Sequence, residues 1–250
     1  MGGCKSNLPL TAFEGDSRGR FVKNRNQSEL KKRALKIFKL LKAEFGSPAC
    51  PLHFKSTEQL AVAVILSAQC TDERVNLVTP ALFARFPDMA AFASADVAEV
   101  EKLIYSTGFY RNKAKNIVAL ARILVEQYNG KIPRDFAVLY SLPGIGRKTA
   151  NVIMAEAFGE APGITVDTHV KRITRLLGFT RSDNAEVIER ELMRIFPKET
   201  WRDLPLLLIF HGRKTCIARR PKCQECILKK LCPSALPETV PGGRAHSAKL

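Results

Sequence analysis

Cys216, Cys223, Cys226 and Cys232 stand with six, two and five residues between them, while the other three cysteines, Cys4, Cys50 and Cys70, are scattered. A tight thiol cluster in a chain of 250 residues reads as a metal site, whereas a disulfide framework spreads paired cysteines through a small secreted domain. The compartment is therefore expected to be reducing. This spacing departs from the paired zinc pattern and from both ferredoxin patterns, so ligand counting leaves the metal open. The loops of the cluster are basic, with Arg219, Arg220 and Lys222 in the first and Lys229 and Lys230 in the last.

Two further groups could do chemistry. Lys148 lies in Leu142-Pro143-Gly144-Ile145-Gly146-Arg147-Lys148-Thr149-Ala150, between the helical patterns 135–141 and 147–158. Two glycines around one aliphatic residue predict a tight turn whose amides, with the next helix N-terminus, can face a phosphate. Such a grip needs no side-chain readout and would hold a strand irrespective of base sequence. In the first helical turn the dipole disfavours a further positive charge, so Lys148 is either a phosphate contact or a nucleophilic amine. Asp167, in Ile164-Thr165-Val166-Asp167-Thr168-His169-Val170, precedes a helical run and is suited to be its N-cap. A carboxylate there can also stabilise developing positive charge, and capping and catalysis are compatible. His169 reads as a packing or hydrogen-bonding residue.

The elements that must position these groups are helices. From Ser28 the apolar residues Leu30, Ala34, Ile37, Phe38 and Leu41 share one face, with lysines elsewhere. Ser56 is placed to cap a second helix, with Gln59 completing a capping box, and Leu60 to Leu66 is apolar nearly all round, which predicts a central buried helix. Further helices are predicted over 72–86, 95–105, 113–129, 135–141, 147–158, 168–177, 184–195 and 200–211, with glycine and proline punctuation between them. No alternating strand runs compete. The fold class is all-α.

Forty Lys and Arg against 24 Asp and Glu give a net charge of +16. That excess is tolerated most readily for a polyanionic partner, which makes nucleic acid the leading class. No apolar stretch approaches the roughly 18 residues of a membrane span, and no membrane partner is expected. Residues 1–27 carry five basic and two acidic residues and are expected to be a disordered arm; Met1 to Ser6 fits the loose N-myristoylation pattern only as a chance match. The tail 234–250 is likewise expected to be disordered.

The string LPGIGRKTA with Lys148, the string VDTHV with Asp167, and the four cysteines after His211-Gly212-Arg213 together resemble the endonuclease III family of helix-hairpin-helix DNA glycosylases. The resemblance spans roughly residues 28–233. It implies a two-lobed all-α fold: a six-helix barrel over 50–160 that carries the hairpin, an iron-sulfur cluster domain from 28–49 and 161–233, and a DNA cleft between them. It implies a 4Fe-4S cluster on Cys216, Cys223, Cys226 and Cys232, and a bifunctional enzyme of base excision repair. Lys148 would attack C1′, displace an oxidised pyrimidine and pass through a Schiff base to β-elimination, with Asp167 stabilising charge on the sugar. Gln69 and Phe109 match positions that fill the hole left by an extruded base. DNA contacts are expected from these two, from Leu142, Gly144, Ile145, Gly146, Arg147 and Thr149 of the hairpin, and from Arg219, Arg220 and Lys222. Cys70 departs from the small residue expected after the glutamine.

The partner implied is double-stranded DNA with damaged bases or abasic sites, bound by a monomer in a bacterial cytoplasm, or in the nucleus or mitochondrion of a eukaryote. The related adenine-mispair glycosylases share hairpin, aspartate and cluster. They generally lack the lysine and carry a further C-terminal domain, for which the 18 residues after Cys232 leave no room. A non-enzymatic DNA-binding module would not need Lys148 and Asp167 together.

Overall fold

Ser56 opens the central helix as the sequence predicts: in the computed structural model, which describes residues 17–236 and side chains from 27 onward, its hydroxyl accepts from Gln59 N at 3.2 Å. The reciprocal bond differs slightly from a capping box, because Gln59 Oε1 is taken by the amide of Lys55 at 2.9 Å. The helix so started, α2 (Thr57–Leu66), buries every residue from Leu60 to Leu66. A helix apolar on all sides has to be surrounded, and it is. Around it and behind it stand α3 (Asp72–Arg85), α4 (Met89–Ala93), α5 (Val97–Ile104), α6 (Tyr110–Tyr128), α7 (Phe136–Ser141) and α8 (Arg147–Phe158). Their apolar faces form one core running from Leu52 to Met154. The short α4 has too few residues for a periodicity to show, and the sequence pattern did not reveal it.

A second core joins distant parts of the chain. It combines Ala34, Ile37 and Leu41 of α1 (Ser17–Phe45) with residues from Ile164 to Leu228, contributed largely by α9 (Thr168–Leu176), α10 (Ala185–Ile195) and α11 (Leu204–Lys214). Helix α1 begins earlier than the Ser28 start read from periodicity, so the arm expected over 1–27 is helical from Ser17. Arg33 explains how the first helix is fastened to the last segments: its Nη1 donates to Leu177 O at 2.8 Å and Leu231 O at 2.9 Å. No strand occurs among the described residues, and none of their helices is long and apolar enough to cross a membrane. The N-myristoylation pattern and nearly all of the 234–250 tail lie outside the described residues.

Two ion pairs tie one core to the other. Arg213 of α11 meets Asp72 of α3 at 3.2 Å at an exposed position. The stronger link is Arg147, whose Nε lies 2.6 Å from Oε2 of Glu189 on α10, a carboxylate only 4% exposed. Asn151 Nδ2 donates to the other oxygen of Glu189 at 3.1 Å. Removing Arg147 would strand a buried charge, at a cost of about 3–5 kcal/mol, whereas removing Asn151 would leave one carboxylate oxygen without its donor but keep the ion pair. The carboxylate reaches this place only because residue 163 is glycine: a Cβ there would stand 1.9 Å from Glu189 Oε1.

Candidate active site and nucleic-acid interface

The hairpin between α7 and α8 turns at Gly144, whose φ of +76° is the left-handed region that glycine adopts freely. A side chain there would also press on Asn116 Cβ at 3.0 Å and Ile65 Cδ1 at 3.3 Å. Gly146 is different. Its φ is −82° and a Cβ would meet nothing within 4 Å, so no contact inside the protein demands glycine and the bare backbone is open to a body approaching from outside. Leu142 and Ile145 are buried in the barrel core, and the Ile145 amide closes the turn on Leu142 O at 3.1 Å. Their side chains anchor the hairpin in the core and, contrary to the expectation of DNA contacts from them, are not free to meet a partner. Thr149 is half-buried on the same first turn of α8.

Lys148 is the second residue of α8 and is exposed, beside the amides that a helix start leaves without partners. Arg147, expected to reach DNA, has its guanidinium held by Glu189 and stacked 5.4 Å from the Phe136 ring. The hydrogen bond it donates to Glu189 holds this guanidinium above the usual arginine range. Arg147 thus fixes the orientation of the helix start that carries Lys148. Asp167 caps α9: Oδ1 accepts from Val170 N at 2.7 Å, and among the described residues no hydrogen bond engages Oδ2. Capping orients this carboxylate and leaves one oxygen open to chemistry. His169 is half-buried with Nδ1 lacking a partner, packed against Gly212, where a Cβ would stand 2.8 Å from that nitrogen.

Gln69 and Phe109 share an unusual backbone. Only three described non-glycine residues have positive φ, and two of them are Gln69 at 53° and Phe109 at 47°; the third, Asn129, is of a type that adopts this region readily. Holding such residues left-handed costs of order 1–3 kcal/mol each, and such strain persists only where the surroundings over-determine it. Both side chains are exposed, Phe109 by 64%. An aromatic ring held in water on a strained backbone is poorly explained by packing.

The four clustered thiols are free and half-buried. Burial pushes the Cys216, Cys226 and Cys232 thiols up, and neighbouring thiols of the set push the same way, so the sulfurs lie within electrostatic reach of one another. A single zinc would need its ligands gathered at about 2.3 Å from one centre. Among the described residues no three His, Cys, Asp or Glu side chains converge in that way. Four thiols brought together by one short segment are a donor set of the kind that holds an iron-sulfur cluster. Arg172 of α9 braces the loop, donating to Cys216 O at 2.7 Å and approaching its Sγ at 3.7 Å. His211 Nε2 lies 3.7 Å from Cys226 Sγ, its imidazole kept below the ordinary range by burial and then by Arg172. Gly212 lets α11 approach α9, since a Cβ would meet Ile173 Cδ1 at 2.8 Å. The cluster loop is therefore built onto the helix that Asp167 caps. Arg219, Arg220 and Lys222 are exposed, and none takes part in an ion pair among the described residues.

Residues 62–198 match the HhH-GPD superfamily of base excision DNA repair proteins, and residues 216–232 match the iron-sulfur binding domain of endonuclease III. Endonuclease III of Synechocystis sp. is 51% identical over 84% of this chain and 96% of its own, and that of Escherichia coli K12 is 43% identical over 81% and 95%. A trapped endonuclease III–DNA covalent intermediate superposes with a TM-score of 0.78 and 42% identity, covering 82% of this chain and 96% of that one. The chain belongs to the endonuclease III family.

The matched segment 216–232 is an iron-sulfur binding domain, so the cofactor is a 4Fe-4S cluster, and Cys216, Cys223, Cys226 and Cys232 are the four thiols that this segment offers it. Protein purified without oxygen is expected to be yellow-brown, with broad visible absorption and about four irons per chain. Stoichiometric zinc without labile sulfide would overturn this.

Glu189, Gly163, Asn151 and Arg172 did not emerge from the sequence. One signal was there for Glu189: it sits beside Ile188 and three residues before Leu192 on the apolar side of α10, an odd place for a carboxylate.

Proposed function

We propose that the protein is a bifunctional DNA glycosylase and abasic-site lyase of base excision repair, acting as a monomer on oxidised, ring-saturated or fragmented pyrimidines in duplex DNA. The observation that carries this reading is Lys148, an exposed amine on the first turn after the hairpin, in a family of which one member has been trapped covalently on DNA. The bare backbone at Gly146 and the free amides of the α8 start would hold a phosphate without reading bases. The +16 charge and the exposed Arg219, Arg220 and Lys222 would strengthen that hold through the backbone.

With the damaged nucleotide extruded, the free Lys148 amine attacks C1′ while the open Asp167 oxygen faces the positive charge that develops on the sugar. The glycosidic bond breaks, the base leaves with its electron pair, and loss of a proton from nitrogen opens the sugar to an imine. The imine acidifies the C2′ proton; its removal expels the 3′ phosphate by β-elimination, and water then releases the lysine.

Purified protein is expected to remove a ring-saturated pyrimidine from duplex DNA, and to leave a 3′ unsaturated aldehyde at the nick. A chelator in the reaction buffer should leave both steps intact, because no labile metal is asked to do chemistry. Base removal with an unbroken strand would make the enzyme monofunctional; no base removal from any oxidised pyrimidine would reduce it to a binding module.

A further inference from the structure

Lys113, in the first turn of α6, is only 5% exposed. None of the ion pairs among the described residues includes it, and burial holds its ammonium below the usual lysine range. A cation taken out of water without a counter-ion needs another source of negative potential. Its Nζ donates to two carbonyls, Leu66 O and Thr107 O, each at 2.8 Å. Leu66 is the last residue of α2, and Thr107 is the last residue of the 3₁₀ turn Tyr105–Thr107 that follows α5. Carbonyls at helix ends lack intrahelical donors and carry the negative end of the dipole. One buried ammonium therefore caps two helix ends at once.

The chain leaving each of these carbonyls runs directly into one of the strained, exposed residues. After Leu66 come Ser67, Ala68 and Gln69; after Thr107 come Gly108 and Phe109. The backbone amide of Lys113 also donates to Phe109 O at 3.1 Å, closing the first turn of α6 behind the ring. The left-handed backbone at both residues requires surroundings that over-determine it, and Lys113 is the side chain that the two loops share.

We propose that Lys113 is a positioning residue that fastens the Gln69 loop to the Phe109 loop, so that both side chains enter the base stack as one preformed unit. This rests on the reading of Gln69 and Phe109 as the groups that fill the duplex. Joining the loops before binding removes the cost of ordering each one separately when the stack opens. An abasic site has no base to unstack, so its processing should depend on the joined unit far less than excision of a base does.

The test compares two single-turnover rates in the holoenzyme: excision of a ring-saturated pyrimidine, and nicking at a preformed abasic site. A 2-aminopurine next to the lesion reports opening of the stack. Lys113→Met is expected to slow excision by about tenfold or more, with loss of the 2-aminopurine signal, while nicking stays within about threefold, because only the first requires a stacked base to be driven out. Lys113→Arg, which can still bridge both carbonyls, should restore the ratio of the two rates. Equal loss of both rates in a folded Lys113→Met protein, or no loss of either, overturns the proposal. Should that variant not fold, Lys113→Gln, whose amide reaches at most part of the bridge, is read in the same way, and an unchanged ratio overturns it. Phe109→Ala separates this from the underlying reading. If Phe109→Ala loses binding to lesion and undamaged duplex equally, the assignment of Phe109 to the duplex fails; if it loses lesion engagement selectively while the Lys113 variants keep a normal ratio, only the fastening role fails.

Discussion

Lys148→Gln is expected to give no covalent adduct when borohydride is added to a reaction on duplex DNA containing an oxidised pyrimidine, whereas the unaltered protein gives a stable protein–DNA product. The imine is the species on the proposed path whose reduction joins protein to DNA, and it needs the Lys148 nitrogen. Strand cleavage should fall with it, by on the order of 10³-fold or more, since loss of a nucleophile is not compensated by the groups around it. Binding should persist, because the hairpin turn depends on Gly144 and on the buried Leu142 and Ile145, and the start of α8 on the Arg147–Glu189 pair. The measurement is a denaturing gel of trapped product beside a direct binding curve. An adduct of normal yield in the variant would move the nucleophile elsewhere; loss of binding to the same degree as cleavage would return Lys148 to a phosphate contact.

Asp167→Asn should separate the two roles of the same carboxylate. Asparagine caps a helix about as well as aspartate, so the bond to Val170 N survives and the melting temperature should hardly move. What disappears is the negative charge at the open oxygen. Excision is expected to slow by about 10²–10³-fold, the usual cost of removing one preorganised electrostatic group from a reacting centre. Single-turnover excision at fixed DNA saturation is the appropriate rate, with thermal unfolding measured alongside. Near-normal excision would leave Asp167 as a capping residue alone, and a large fall in melting temperature would attribute the slow rate to a damaged helix start.

Much of this protein was legible along the chain because its chemistry is local. A cap requires a residue and the amides two or three positions later, so Ser56 and Asp167 declare themselves. A tight turn requires glycine at Gly144, and thiols gathered within one short segment keep a readable spacing. Helix periodicity likewise places most boundaries within a few residues, failing only at the five-residue α4 and at the early start of α1, where Ser17 to Gln27 carry little apolar pattern.

The tertiary structure decided what joins distant segments. Glu189 reaches Arg147 across 42 positions and Lys113 reaches Leu66 across 47, and neither separation leaves a mark in the sequence. The nearest sign of Lys113 is its alignment with Ile117, Leu120 and Leu124 on the buried face of α6, which marks the lysine as out of place but cannot name its partners. The sequence likewise presented Arg147 as one more basic residue beside a DNA grip; only the fold's placement of Glu189 of α10 within reach of its guanidinium turned it into a strut. Local propensity follows from neighbours within a turn or two, whereas the partner of a buried charge is chosen by whichever acceptors the folded core brings within hydrogen-bond distance, and that choice exists only once the helices have packed.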